Sequence, residues 1–81
     1  MSTILTSNAE FRGSVNSPHR QVTVGALGSA EITQQQVAPD GTVSWVAVPD
    51  GVLSGPVTVT LLTVPSATYR AENVVGLVTV D

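Results

Sequence analysis

Proton-transfer chemistry in this chain would have to be built from His19 and six carboxylates, Glu10, Glu31, Asp40, Asp50, Glu72 and Asp81. Cysteine and lysine are both absent, so the usual thiol and amine nucleophiles are missing. A hydrolytic triad needs a nucleophile, a base and an orienting group held together. The single imidazole follows Pro18 in a segment, residues 16–21, whose Asn-Ser-Pro content reads as a turn. A solvated loop residue is the reading that fits His19. Two carboxylates at the right separation serve glycoside hydrolysis, but a small sheet protein offers little depth for a cleft that excludes water. The glycine-rich stretch GALGS, residues 25–29, lacks the lysine of a phosphate-binding loop. Asp40 and Asp50 each stand without the ligand cluster that calcium requires, and one histidine without a thiolate makes no structural zinc site. No catalytic, cofactor-binding or metal-binding residue is assigned, no cofactor is expected, and the chain is not read as an enzyme.

Trp45, the only tryptophan, is the one large side chain suited to recognition. An aromatic on a strand can stack on a sugar or anchor an interface. Its neighbours in phase, Val43 and Ala47, are small and apolar, which fits a place in the core better. The surrounding segment, APDGTVSWVAVPDG (residues 38–51), carries Pro-Asp-Gly twice, at 39–41 and 49–51. Asp-Gly between alternating runs signals a hairpin, and proline ends a strand because it lacks an N–H. The spacing predicts one strand over residues 42–48 with a chain reversal at each end.

Stepping outward from that segment, strand signals continue. Fifteen valines and ten threonines supply β-branched side chains suited to pleated sheets. Residues 21–26 alternate, with Val22, Val24 and Ala26 on one face. Residues 30–37 form a weaker strand, with Ile32 and Val37 apolar among glutamines. Residues 56–65, bounded by prolines, are apolar on both faces, which predicts a central strand or one covered by another molecule. Residues 66–73 read either as a helical turn or as a strand with Tyr69 inward, and residues 74–80 as a last strand. Near the start, Phe11, Gly13 and Val15 alternate with Glu10, Arg12 and Ser14. Six to eight short strands with turn signals every eight to twelve residues predict an all-β fold. The expected architecture is a small antiparallel β-sandwich or barrel, immunoglobulin-like or jelly-roll-like. Residues 9–81 form its single domain, and residues 1–8 read as an extended N-terminal arm.

Composition narrows the function. A chain of 81 residues makes one domain, and at that size only about 60–65% of the unfolded surface is buried. Small domains offset this with disulfides, metals or self-association, and the first two are not available here. Phe11, Trp45 and Tyr69 are the only aromatics, so the core rests on valine. Charged residues are 11% of the chain, against about 25% in ordinary soluble proteins. Arg12, Arg20 and Arg70 are the only cations beside a net charge of −3, so no basic face for nucleic acid or anionic membrane is expected. With Met1 as the natural start, the chain is expected to be made in the cytoplasm, since no secretory signal is visible. Isolated sheets guard their edges with lysine, bulges or coverage. Without lysine, coverage by copies of the chain (a homo-oligomer) and by a larger protein assembly such as a capsid is expected. In size and composition the chain is similar to phage head decoration and cement proteins. That likeness implies a non-enzymatic structural role on a virion. Ile4 and Leu5, apolar between polar residues in the N-terminal arm, are read as the partner-binding residues. The alternative is an immunoglobulin-like binding module that recognises a glycan or a cell-surface protein.

Overall fold

A computed structural model describes residues 3–81 and builds them entirely from strands and loops. The strands are β1 (Thr3–Ile4), β2 (Glu10–Arg12), β3 (His19–Val24), β4 (Ser29–Val37), β5 (Val43–Ser54), β6 (Val57–Leu62), β7 (Thr68–Val75) and β8 (Val78–Val80). They make two four-stranded sheets, in the orders β1-β8-β3-β6 and β2-β7-β4-β5, with every pairing antiparallel. Each order has two free ends, so the expected choice between sandwich and barrel resolves to a sandwich.

The alternation read from the sequence supplies the core. Val22, Val24, Leu61, Val78 and Val80 point inward from the first sheet, and Phe11, Ala30, Ile32, Leu53, Tyr69 and Ala71 from the second. Side chains two residues apart on a strand share a face, so each of these short runs lines the interior. Phe11 and Tyr69 sit opposite each other in register and stack with ring centroids 5.6 Å apart. The Tyr69 hydroxyl accepts the Val64 N–H at 2.8 Å, so the largest buried side chain keeps its polar end satisfied. Residues 68–75 are thus a strand, which settles the choice between helical turn and strand. Arg20 closes one end of the core: its guanidinium lies 5.9 Å from the Phe11 ring and donates to the carbonyls of Arg12 (2.8 Å) and Asp81 (2.9 Å).

The two Pro-Asp-Gly copies part company. The first turns the chain as expected: Gly41 N–H reaches the Ala38 carbonyl at 2.8 Å, and the Asp40 carboxylate accepts the Thr42 N–H at 2.9 Å. The second does not reverse the chain. It is a bulge inside β5, where β4 spends one residue, Ile32, against four on β5, residues 48–51. Asp50 takes a left-handed φ of 58°, and Gly51 passes so close to β4 that a Cβ there would lie 2.7 Å from the Ile32 carbonyl oxygen. Pro49 is tolerated because β5 is an edge strand, so the missing N–H removes no bond from a central ladder. Two further expectations change. Of the two alternatives for residues 56–65, a central strand is excluded, because β6 is an edge strand with Leu62 on its outer face 76% exposed. Residues 74–80 are two strands in different sheets, because Gly76, at a φ of 71°, turns the chain from β7 to β8.

Candidate interaction surfaces

The groups that could exchange protons are scattered. His19 begins β3 at the surface, its N–H bonded to the Ser17 hydroxyl at 3.2 Å. Asp40 sits at a hairpin tip and Asp50 in the β5 bulge, at separate places on the same strand pair. Glu31 and Glu72 face each other across β4 and β7, and Glu10 stands opposite Arg70 across β2 and β7. Like charges opposed in a sheet repel, and Arg70 offsets this by binding Glu72 at 3.0 Å. Glu31 is exposed, while Glu72 and Arg70 are half-buried on this outer face of the second sheet. Among the described residues, no three of His, Asp and Glu converge as metal ligands would. A cleft of about 240 Å³ lies between the β5 bulge and β6, lined by Pro49, Asp50, Thr60, Leu61 and Leu62. It is smaller than the roughly 300–1,000 Å³ of small-molecule sites, and its one carboxylate has no catalytic partner beside it.

Trp45 belongs to the surface. It is half-buried, outside the core cluster, and the Arg70 guanidinium lies 4.2 Å from its ring centroid. Register explains why: Trp45 pairs with Gln35, and Thr33 and Arg70 pair on the same outer face of the sheet. The small neighbours Val43 and Ala47 are exposed there as well, so in-phase apolar residues did not mean burial. The ring therefore stacks on a cation in place of packing inside.

Ile4 and Leu5 separate in the same way. β1 pairs with β8, which turns Leu5 into the core at 2% exposure and leaves Ile4 outside at 65%. The segment is tied into the first sheet over residues 3–5, with Leu5 N–H bonded to the Val78 carbonyl at 2.8 Å. Of the pair, only Ile4 presents apolar surface outward.

A third surface gave no signal in the sequence beyond its glycines. Three loops meet at one pole of the sandwich: residues 25–28, 55–56 and 76–77. They are laced together by backbone bonds from Gly25 N–H to the Leu77 carbonyl (2.8 Å), Gly28 N–H to Gly25 (3.0 Å) and Gly55 N–H to Gly28 (2.9 Å). Gly55 abuts the Gly25 carbonyl so closely that no side chain fits between them. None of the three loops carries an ionisable side chain. Leu27 stands on this pole at 95% exposure, with Leu77 and Val75 also exposed beside it. Its φ is 64° in a turn closed by the Gly28-to-Gly25 bond. That is the third position of a type II turn, which favours glycine or asparagine. A leucine there accepts left-handed strain and gains no burial in return.

The opposite pole carries a ribbon. β7 pairs with β4 no further than Gln34, so residues 35–37 and 43–45 form a two-stranded ladder with no third strand beside it. No residue of that ribbon is buried on either face, and Val37 and Val43 are exposed along it. Comparison of the chain with family models, with curated proteins and with solved structures finds no match.

Proposed function

We propose that this chain is a non-enzymatic structural protein that associates with its own copies and coats or reinforces a larger protein assembly, the virion surface being the setting its size and composition favour. The observation that carries the reading is Leu27: 95% exposed, at a φ of 64°, on a pole free of charge. Strained residues that cost stability persist where function uses them. An apolar side chain held rigidly in water by glycine-packed loops is suited to entering an apolar recess on a partner, where its burial is worth about 1.5–3 kcal/mol. Ile4, on the outer face of the first sheet, is a secondary contact in the same scheme.

The test is occupancy. The chain is expected in purified particles from its source, by quantitative mass spectrometry, in many copies per particle. Leu27→Asn is expected to stay folded and to lose occupancy by tenfold or more. A chain absent from particles, or unaffected occupancy in that variant, would overturn the reading.

The surface position of Trp45 favours a second reading, a binding module for a glycan or cell-surface protein. One ring face is already taken by Arg70 at 4.2 Å, which leaves a single face for a sugar. Glycan-array binding that Trp45→Ala abolishes would support this reading over the first.

A further inference from the structure

Among the described residues the sheets end in four edge strands: β1 and β6 in the first sheet, β2 and β5 in the second. β1 and β2, with two and three residues, are too short to template another strand. The β5 bulge comes up beside β6, the two together lining the small cleft. β5 itself divides in two. Its second half carries a proline, a charge and a bulge at residues 49–51, the three devices by which natural edges resist pairing. Its first half, residues 43–48, carries neither proline nor charge and reaches the bulge only at Val48, and residues 43–45 lie on the ribbon that no third strand covers. Two strands alone are marginal in water. The ribbon lacks the neighbour that would make it stable, and its open edge is where that neighbour fits.

We propose that residues 43–48 pair antiparallel with the same segment of a second copy about a two-fold axis, joining two four-stranded sheets into one of eight. This names the surface for the self-association in the proposed function. Charge selects the occupant. A two-fold brings the segment against itself, so a charged side chain on it would meet its own copy on the axis or, off the axis, an uncharged residue that supplies no counter-charge. Residues 41–49 contain no ionisable side chain, and the nearest, Asp40 and Asp50, flank the segment. With Val46 on the axis, Val46 meets the partner's Val46, Trp45 meets the partner's Ala47, and Ser44 meets the partner's Val48. The large indole thus faces the smallest side chain of the strand, and Asp50 falls opposite the partner's Thr42. Pro49 ends the ladder on each side, since it offers no N–H. Trp45 is already fixed by Arg70, which Glu72 holds in turn at 3.0 Å, so the edge is ordered before it pairs. A standard interface buries about 800 Å² per partner, roughly a sixth of the 4940 Å² surface of this chain. A single strand edge buries less, so the dimer is reversible and depends on concentration.

The chain has no cysteine, so Val46→Cys introduces its only thiol. Opposed residues of an antiparallel pair lie about 4.5–5.5 Å apart at Cα, within the reach of a disulfide. Under mild oxidation, Val46→Cys is expected to form a covalent dimer on non-reducing gels. Thr23→Cys, exposed on the outer face of the first sheet, is expected to stay monomeric. Sedimentation of the wild type should show a monomer–dimer equilibrium that Val46→Lys weakens at least tenfold with the circular dichroism spectrum unchanged. A dimer that Val46→Lys leaves intact would overturn this surface and leave self-association standing. A wild type that stays monomeric at every concentration would overturn both.

Discussion

Leu27→Asn separates what the isolated molecule needs from what a partner needs. Leu27 sits at a φ of 64° and is 95% exposed. A left-handed backbone costs an ordinary L-residue about 1–2 kcal/mol, whereas asparagine visits that region readily. Since almost none of the leucine is buried, its removal forfeits next to no hydrophobic stabilisation. The net expectation is a gain of about 1 kcal/mol, which in a domain of this size raises Tm by about 4–8 °C. Leu27→Ala serves as the partner experiment, because it keeps the strain and removes the bulk. Its stability should stay within about 0.5 kcal/mol of the wild type. Thermal melts followed by circular dichroism, with urea titrations on all three proteins, measure both effects. A lower or unchanged Tm in Leu27→Asn would refute the argument, because it would mean the leucine makes stabilising contacts in the free molecule.

Three further outcomes follow from named contacts. Gly55→Ala drives a Cβ into the Gly25 carbonyl, a backbone atom that cannot step aside, and should cost about 2–3 kcal/mol in urea denaturation. Trp45→Ala loses the Arg70 stack and partial burial only. Its expected cost is therefore about 1 kcal/mol, well short of the roughly 3–5 kcal/mol of a buried tryptophan, and a loss in the higher range would return the indole to the core. Asp40 has a pKa below its ordinary value because the Thr42 backbone N–H stabilises the carboxylate. Its contribution is present above the unfolded value and is lost as pH falls through the folded one. Asp40→Asn, which keeps the acceptor without the titration, should flatten the fall in stability below about pH 4.

Much of the sandwich was legible because its signals are local. Alternation at Val22 and Val24 states which face of a strand is inside, and the structure buries both residues. The first Asp-Gly turn was legible for the same reason, since its bonds close within residues 38–42. What failed was decided by strands distant in sequence. The second Pro-Asp-Gly resembles the first residue for residue, yet the chain runs on, because Val52 and Leu53 find partners in Glu31 and Ala30. No local rule separates a turn from a bulge when both tolerate the same three residues.

The interaction surfaces were less legible still, and the cause lies in the chain's own chemistry. In most proteins a charged residue marks the outward face of a strand, but here threonine, valine and leucine occupy both faces. Val22 and Val46 are indistinguishable by type, and only topology makes one core and the other surface: Val22 lies on a strand with two neighbours and a facing sheet, Val46 on the edge strand β5, level with the last β4–β7 pair, Gln34 and Tyr69. One sequence feature bears on the proposed pairing: an absence of charge with a defined extent. The two Pro-Asp-Gly copies bracket seven uncharged residues. The first is needed to form the hairpin. The second guards one half of β5 with proline, charge and bulge while leaving the other half bare. An edge guarded on one half alone discriminates between partners: another strand can pair with residues 43–48 and must stop at Pro49. That is the property a reversible, length-limited contact between copies requires, and a uniformly open or uniformly blocked edge would supply neither the pairing nor its limit.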